Sequence, residues 1–499
     1  MGKPEQLSSE TVKPEIPKAE LVRRLSAMLP AGSLLHETED LKPFECDGLT
    51  AYRRVPLAVA LPENETQICE TLRICNEAHV PVVFRGAGTG LSGGALPYEN
   101  GLLLGLSKLK RILEIDPAAR LARVQPGVRN AAISETAAVH GLYYAPDPSS
   151  QIACSIGGNV AENSGGVHCL KYGLTVHNIL KLRFVTIEGE VLEFGGDGLD
   201  SAGYDLLALA TGSEGLLGVV TEITVKLLPR PEKAQVVLAA FDDVVKGGQA
   251  VADIIGAGIV PAGLEMMDKK ATAAVEQFVH AGYPLDADAI LLCESDGTEE
   301  EVAAEIARVT EVMQKAGATE VRVSRDEAER LRFWAGRKAA FPAVGRILPD
   351  YFCMDGTIPK KQLPVVLKRI AELSEKFDLQ CANVFHAGDG NLHPLIMFDA
   401  NDDAQLRRAE EYGAAILELC VEVGGTITGE HGVGIEKINQ MCVQFRTPEL
   451  NTFHAVKHAF DPHGLLNPGK AVPTLQRCAE FGAMHVHRGQ EKFPDLPRF

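Results

Sequence analysis

The sequence predicts an α+β protein with more than one domain. The chain has 499 residues, and one hydrophobic core rarely grows past about 250–300 residues, so the length indicates two to four domains. A β-α-β pattern is expected at 56–61, 64–78 and 81–84. Residues 235–350 then alternate strand-like with helix-like stretches, which is typical of a separate α+β layer.

The other helices and strands are predicted from the periodicity of apolar residues and from the Gly and Pro residues that interrupt it. An amphipathic helix is expected at 19–29, after a charged, Pro-rich tail over residues 1–20. Pro229 and Pro231 indicate a domain boundary. Beyond it we expect strands at 235–241, 289–294 and 320–324 and helices at 244–255, 298–316 and 405–424. The chain therefore divides into four parts, at 1–50, 51–231, 232–425 and 426–499.

Charge, hydropathy and cysteine usage exclude several classes of protein. Lys plus Arg is 49 and Asp plus Glu is 67, a net charge of −18, so nucleic-acid binding, which needs a basic face, is disfavoured. The apolar runs are far shorter than the ~20 residues of a membrane-spanning helix, so we expect membrane contact only through partners. Residues 1–18 show no signal peptide. Eleven scattered cysteines without C-x-x-C favour reduced thiols in the cytoplasm and argue against an internal iron–sulfur cluster.

A glycine-rich loop at 85–94 contains G-x-G-x-x-G at Gly88, Gly90 and Gly93. A nicotinamide-binding Rossmann unit requires a helix directly after this motif. Pro97 makes the following residues a poor helix, so that hypothesis fails. Consecutive backbone N–H groups in such a loop can still bind an anion, and a diphosphate is the anion that we expect there. The alternative is an ordinary glycine-rich turn.

Three further loops, at 146–150, 155–166 and 211–221, combine glycines with small polar residues. They allow the close backbone approach that a ribityl chain and an isoalloxazine edge need. The motifs P-x-x-x-R-G-x-G-T, Q-P-G, S-I-G-G-N and G-S-E-G-x-L-G-V-x-T occur in this order. This set resembles the FAD-binding domain of the vanillyl-alcohol-oxidase (PCMH-type) flavoprotein superfamily.

The resemblance implies a PCMH-type FAD-binding domain of two subdomains, an α+β (ferredoxin-like) substrate cap domain and a helical C-terminal segment that returns to the flavin. It implies that the FAD diphosphate is cradled by Arg85, Gly86, Ala87, Gly88, Thr89, Gly90 and Gly94. The rest of the cofactor would be lined by Gly127, Pro146, Asp147, Pro148, Ser149, Gly157, Gly158, Asn159, Asn163 and Val219. The diphosphate loop contains neither His nor Cys, so we expect non-covalent FAD.

Two later motifs carry candidate metal ligands. His386 and His393 flank a tight Gly-Asp-Gly-Asn turn, which predicts a hairpin with two imidazoles facing each other. Glu430 and His431 follow in a loop. Two neutral imidazoles and one carboxylate form a usual ligand set for a catalytic zinc or manganese ion. The alternative is that these are ordinary turn histidines.

The motifs H-x-G-D-G-N-x-H and E-H-G-x-G resemble those of FAD-linked dehydrogenases of D-2-hydroxy acids. That resemblance implies that His386, His393 and Glu430 bind a divalent metal and that His431 is the catalytic base. It also implies that Asn391 orients the site and that Arg337, in a W-x-x-R motif, binds the substrate carboxylate. Residues 353–355 read Cys-Met-Asp where larger-substrate relatives have K-Y-D, which hints at a shorter substrate.

Nearly the whole chain beyond residue 20 resembles the family of FAD-linked (GlcD-type) subunits of glycolate dehydrogenases, or glycolate oxidases. The matching segments include E-C-D-G-L at 45–49, L-N-P-G-K at 466–470 and the tail at 478–485. This implies oxidation of glycolate, and also of D-lactate, by hydride transfer to the flavin N5, with Asn467 near FAD. It also implies a second flavin-type subunit and an iron–sulfur subunit, which pass electrons to quinone at the cytoplasmic face of the inner membrane.

Three rival hypotheses remain at this point. A stand-alone D-lactate or D-2-hydroxyglutarate dehydrogenase would use the same chemistry with another pocket. A non-catalytic FAD subunit would be expected to lack the His pair or the Glu-His pair, and this chain has both. A metallohydrolase without flavin is opposed by the four FAD-type loops.

Overall fold

The computed structural model describes residues 13–198, 203–474 and 477–478. The α-helices are α1 (Lys18–Ser26), α2 (Thr38–Leu41), α3 (Glu65–Glu77), α4 (Asn130–Ala137), α5 (Ile156–Glu162), α6 (Cys169–Tyr172), α7 (Leu206–Ala210), α8 (Val244–Gly256), α9 (Lys269–Val279), α10 (Glu299–Lys315), α11 (Glu327–Lys338), α12 (Ala340–Val344), α13 (Leu363–Phe377), α14 (Asp403–Glu422), α15 (Ile438–Gln444) and α16 (Thr447–Phe460). The first 12 residues of the expected tail, and the tail motif beyond Cys478, lie outside the described residues.

The strands in chain order are β1 (Leu34–Leu35), β2 (Ala58–Ala60), β3 (Val82–Arg85), β4 (Leu102–Gly105), β5 (Ile112–Asp116), β6 (Leu121–Val124), β7 (Leu142–Tyr143), β8 (Ile179–Val185), β9 (Val191–Gly195), β10 (Val219–Lys226), β11 (Leu228–Pro229), β12 (Lys233–Phe241), β13 (Gly263–Asp268), β14 (Ala289–Gly297), β15 (Glu320–Val323), β16 (Asp350–Cys353), β17 (Cys381–Phe385) and β18 (Pro394–Phe398). The strands and helices predicted from the sequence are all present, with ends shifted by a few residues.

The first sheet has the order β1-β2-β4-β3 and is parallel except at β1. Its helix α3 begins where the Asn64 side chain accepts the N–H of Gln67, a typical N-cap. The apolar face of α3, including Ile68 and Leu72, packs against this sheet. The glycine-rich loop follows β3, and residues 95–101 form no helix, as predicted.

A second, antiparallel sheet has the order β5-β6-β10-β8-β9. Its core includes Val124 and Ile223, and Ile156 and Val160 of α5 pack against it. The two sheets are the two subdomains that the PCMH-type resemblance implies.

The third sheet is antiparallel and has the order β15-β12-β14-β13-β17-β18-β16. Its two faces bury different side chains, because successive residues of a strand alternate between faces. Val237 of β12 belongs to the core shared with α8, α10, α13 and α14. Val236 belongs to the core shared with α9, α11 and α12. This three-layer arrangement is the α+β cap that was expected.

The carboxyl-terminal part returns to the first sheet. Leu466 forms a parallel bridge with Val82, and the next residue, Asn467, donates its backbone N–H to the Val82 carbonyl at 2.8 Å. The prediction of reduced thiols needs a correction at two of the eleven cysteines, because nine are free, whereas Cys442 and Cys478 form a disulfide. The fold brings their Cα atoms to 5.2 Å across 36 residues of chain, a proximity that spacing alone cannot reveal. No helix of the described residues is long and apolar enough to cross a membrane.

Candidate active site

A cavity of about 370 Å³ lies between the FAD-type half of the fold and the cap. Part of its lining comes from the glycine-rich loop at 86–91 and from the start of α5. Phe341 and Tyr351 line it from the cap, and His431 lines it from the carboxyl-terminal segment. A concave site between domains is where a ligand is expected.

Most residues that the resemblance assigned to FAD line this cavity. They are Gly86, Ala87, Gly88, Thr89, Gly90, Gly94, Pro148, Ser149, Gly157, Gly158, Asn159, Val219 and Asn467. These residues are spread over almost 400 positions of the sequence. The fold brings them together at the loop after β3, the start of α5, β10 and the returning carboxyl-terminal segment.

The other residues assigned to FAD make structural contacts outside this lining. Arg85 donates a hydrogen bond to the Cys46 carbonyl at 2.6 Å. Gly127 packs against neighbouring backbone, since an added Cβ would lie 2.5 Å from the Leu106 carbonyl oxygen. The requirement for glycine at 127 is therefore explained by chain packing.

Pro146, Asp147 and Asn163 also lie outside the lining. The Pro146 carbonyl accepts a side-chain hydrogen bond within its own subdomain. The Asp147 carboxylate lies 2.8 Å from Nδ1 of His168. Asn163 ends α5 in the left-handed conformation, and its side chain accepts the N–H of Val176. Each of these polar groups thus has a structural partner.

The predicted hairpin of β17 and β18 brings the two imidazoles together. The rings of His386 and His393 are 4.9 Å apart and nearly perpendicular. Their Nε2 atoms lie 3.3 Å and 2.9 Å from the same oxygen, Oε1 of Glu430. The ring of His431 stacks on that of His393 at 4.9 Å. All four side chains therefore form one cluster, and His393, Glu430 and His431 line the cavity.

The electrostatics of this cluster favour an ionised glutamate beside a neutral base. Burial opposes ionisation of Glu430, but hydrogen bonds from His386 and His393 hold its pKa well below the usual range. Burial lowers the pKa of His431 to about 4. At neutral pH the His431 imidazole is uncharged and can accept a proton.

Glu265 of β13 is a site residue that the sequence analysis missed. One carboxylate oxygen lies 2.7 Å from Nδ1 of His386, and the other accepts the Nε–H of Arg337 at 2.7 Å. Arg337 is 1% exposed and lies outside the cavity lining. The structure thus pairs Arg337 with Glu265 instead of presenting it to the cavity.

Two more buried carboxylates hold the loop that carries the Glu-His pair. Asp355 accepts the backbone N–H groups of Gly429 and His431 at 3.0 and 2.9 Å. Glu214, from the G-S-E-G motif, accepts those of Val433 and Gly434 at 2.8 and 2.7 Å. The carboxylates come from the cap and from the FAD-type half, so the loop is fixed relative to both.

Asn391, predicted to orient the site, lies in the turn of the hairpin. Its carbonyl accepts the backbone N–H of His386 at 3.0 Å. Its side chain is 5% exposed and lies against Gly429, where an added Cβ would be 2.6 Å away. Asn391 thus connects the hairpin to the Glu-His loop from outside the cavity lining.

Comparisons with known proteins identify the family. Residues 56–195 match the family described as "FAD binding domain", and residues 230–471 match "FAD linked oxidases, C-terminal domain". The chain is 64% identical over 486 residues to the glycolate oxidase subunit GlcD of Escherichia coli (strain K12), with 97% of each chain covered. The chain belongs to the FAD-linked oxidases.

Other members and relatives agree with this assignment. The FAD-linked oxidase is 40% identical over 428 residues to the glycolate oxidase subunit GlcD of Bacillus subtilis (strain 168), which covers 86% of this chain and 91% of the relative. The solved structure of p-cresol methylhydroxylase with substrate bound has a TM-score of 0.78 at 17% identity. The structural match covers 92% of this chain and 97% of the p-cresol methylhydroxylase chain, so the two proteins share the fold.

The cavity of this FAD-linked oxidase fits the cofactor of its family. An added Cβ at Gly90 would meet no atom within 4 Å, so the backbone of the glycine-rich loop faces open space at that residue. Asn467 reaches the same cavity from the returning tail, and its buried Oδ1 has no hydrogen-bond partner. A loop of small residues suits a diphosphate, and a free acceptor oxygen suits an N–H group of a flavin ring.

The cluster of this FAD-linked oxidase also suits a divalent metal. Two imidazole nitrogens converge on one carboxylate oxygen, and the second oxygen of Glu430 is buried without a hydrogen-bond partner. One ligand atom from each of Asp355, His393, Glu430 and His431 also lies within 4.8 Å of the others. Nitrogen and oxygen donors of this kind suit zinc and manganese.

Proposed function

We propose that this FAD-linked oxidase oxidises glycolate to glyoxylate, with FAD held non-covalently. The observation that carries the proposal is that His393, Glu430 and His431 line the same cavity as the glycine-rich FAD loops. A base and a candidate metal site thus lie where a substrate beside the flavin would lie. The names of the relatives, glycolate oxidase subunits, support glycolate as the substrate.

The reaction removes the hydroxyl proton and the α-hydride of the acid. FAD, held by the glycine-rich loop and the start of α5, would supply the acceptor for the hydride, its N5 atom. His431, neutral because burial lowers its pKa, takes the proton. We propose His386, His393 and Glu430 as the ligands of a divalent ion, which would polarise the hydroxyl group. Asn391 and Asp355 hold the hairpin and the loop in position.

We also propose that the chain works as one subunit of a larger complex. Its relatives are named as subunits, and its cysteines lack the close grouping that a cluster needs. A second flavin-type subunit and an iron–sulfur subunit would therefore carry electrons to quinone. We propose the cytoplasm, at the cytoplasmic face of the inner membrane, as the location of the chain.

The domain limits are part of this proposal. We assign 51–231 to FAD binding, 232–425 to the cap and 426–499 to the returning segment, after an amino-terminal part at 1–50. The matches at 56–195 and 230–471 and the change from the second to the third sheet between β11 and β12 support the boundary near 231.

A spectral titration tests the proposed function. The purified chain is mixed anaerobically with glycolate, D-lactate or D-2-hydroxyglutarate, and the flavin absorption is followed. We expect bleaching that is fastest with glycolate. Bleaching by D-lactate or D-2-hydroxyglutarate alone would assign the chain to that substrate. A flavin that none of the three acids reduces, in metal-loaded protein, would contradict hydroxy-acid oxidation by this chain.

A further inference from the structure

We infer that His168 is a positioning residue, which holds the cavity-lining loop at 146–150 against the cap helix that carries Arg337. The inference rests on the proposed function and deepens it. In the proposed reaction the hydride passes from an acid on the cap side of the cavity to a flavin held by the FAD-type half. Reacting atoms must lie within about 3–3.5 Å of each other, so the rate depends on how the two halves are placed.

A short segment at 167–172 leaves the FAD-type half and enters the cap. Val167 is buried in the core that belongs to α9, α11 and α12 of the cap. The Tyr172 hydroxyl donates a hydrogen bond to the Asp296 carboxylate of β14 at 2.7 Å. This segment therefore contacts the cap at both of its ends, although it follows α5 of the FAD-type half in the chain.

His168 bonds to both halves from within this segment. Its Nδ1 atom lies 2.8 Å from the Asp147 carboxylate, and its backbone N–H donates to the same carboxylate at 3.2 Å. Its Nε2 atom lies 3.1 Å from Oε1 of Glu294 on β14. Burial opposes a charge on the ring, but the two carboxylates hold the pKa of His168 well above its usual value. A charged imidazole has two N–H donors, one for each carboxylate.

Glu294 connects His168 to helix α11. Its Oε2 atom accepts an N–H of Arg330 at 2.7 Å and also the indole N–H of Trp334. Both donors lie on α11, and Trp334 is one turn before Arg337 on the same helix. Arg337 is the residue that is predicted to bind the substrate carboxylate. The bridge from His168 to Glu294 therefore reaches the helix of the predicted substrate arginine.

The other end of the bridge is the loop at 146–150. Its residues Pro148, Ser149 and Ser150 line the cavity of the FAD loops. If His168 is replaced by a neutral residue, Asp147 and Glu294 lose the cation between them, and an uncompensated buried charge is costly. We expect the loop to shift relative to α11. A misplacement of about 1 Å can slow a reaction by about 10²-fold.

Visible circular dichroism of bound FAD tests the placement of the loop without any substrate. Wild type, His168→Gln, His168→Arg and the control His140→Gln, at an exposed position, are each loaded with FAD. Gln carries no charge, whereas the guanidinium of Arg can donate to both carboxylates. We expect an altered flavin spectrum in His168→Gln and the wild-type spectrum in the other two variants. An unaltered spectrum in His168→Gln would overturn the inference.

Anaerobic reduction of the flavin by glycolate gives the second readout. For His168→Gln we expect the limiting rate of reduction to fall roughly 10- to 100-fold, because the hydride donor and acceptor are misplaced. The glycolate concentration at half-maximal rate should change little, because the groups that bind the acid stay together. His168→Arg should recover most of the rate. Weaker glycolate binding with an unchanged limiting rate would contradict a positioning role, and so would an equal loss in His140→Gln.

Asp147→Asn is a second variant, at the loop end of the bridge. It should alter the spectrum and the rate as His168→Gln does, and it decides the question if His168→Gln fails to fold. The double variant should be no slower than His168→Gln, since both changes break one connection, and additive losses would refute the bridge. If wild type is not reduced by glycolate, the proposed function fails, whereas the flavin spectra still decide this inference.

Discussion

The Nδ1 atom of His386 lies 2.7 Å from Oε1 of Glu265, and both side chains are buried. A carboxylate on one nitrogen of a histidine fixes the orientation of the ring and directs the other nitrogen to a metal. Here the other nitrogen faces Glu430. Glu265 therefore acts as a positioning residue for the proposed metal ligand.

Replacing Glu265 by Gln should weaken metal binding. Loss of such a supporting carboxylate typically costs about 10- to 100-fold in metal affinity. We expect this loss when zinc content is measured after dialysis against buffers of defined zinc concentration. Glu311→Gln, at an exposed salt bridge on α10, is the matched control. Equal zinc affinity in the two variants would argue against a role for Glu265.

The same substitution should also lower the free energy of unfolding. Arg337 would lose its buried partner, and removing one member of a buried ion pair typically costs about 3–5 kcal/mol. Urea denaturation of Glu265→Gln and of Glu311→Gln measures the difference. A loss no larger than that of the surface control would mean that the Arg337 charge finds another partner.

His431→Ala should keep FAD and lose the fast chemical step. His431 lines the cavity as a neutral imidazole, because burial lowers its pKa to about 4. Removal of a general base typically slows a reaction by about 10²- to 10⁴-fold, and we expect this loss in the rate of flavin reduction by glycolate. His140→Ala, at an exposed position, should match wild type. Retained fast reduction in His431→Ala would remove His431 from the role of base.

Chelation should remove the metal ion while leaving the flavin bound, which distinguishes the contribution of the metal from that of FAD. A chelator such as EDTA would remove the ion from His386, His393 and Glu430 while FAD stays bound in its own loops. We expect slow flavin reduction after chelation and recovery when zinc or manganese is added back. Glu430→Gln should not recover with either ion. Full activity in protein shown by elemental analysis to be metal-free would contradict the metal proposal.

The contact of Asp147 with His168 predicts a pH-dependent stability. Burial alone would lower the pKa of His168, but the carboxylates of Asp147 and Glu294 hold it well above 6.5. The charged form of His168 therefore stabilises the fold fully below about pH 6.5, the unfolded value, and this contribution is lost as pH rises through the folded pKa. Arg330 faces the same Glu294 carboxylate and keeps its charge throughout.

Wild type should lose up to about 1.4 kcal/mol of unfolding free energy per pH unit in that window. Urea denaturation at a series of pH values above 6.5 measures this slope. His168→Gln should be less stable at pH 6.5 and show a flatter profile. Parallel profiles for the two proteins would show that His168 does not carry the effect.

Local signals made part of this structure predictable. The hairpin at His386 and His393 follows from two apolar strand ends around a Gly-Asp-Gly-Asn turn, and the structure has that hairpin. The absence of a helix after the glycine-rich loop follows from Pro97. In both cases the determining residues are neighbours in sequence, so the pattern contains the needed information.

Long-range partners could not be predicted in the same way. Glu265 lies in an apolar strand 121 residues before His386, and only the pairing of β13 with β17 brings them together. The resemblance assigned Asp147 to FAD, yet its carboxylate lies against His168. The Cys442–Cys478 disulfide spans 36 residues. Such contacts depend on the order of strands and on domain packing, which residue spacing does not encode.

The most direct test of the central claim is the anaerobic reduction of the flavin by glycolate in the metal-loaded chain. We predict bleaching of the oxidised flavin, one glyoxylate formed per flavin reduced, and slower reduction with glycolate deuterated at the α-carbon. The claim would be contradicted by an FAD-containing, metal-loaded chain whose flavin stays oxidised with glycolate, or whose reduction yields no glyoxylate.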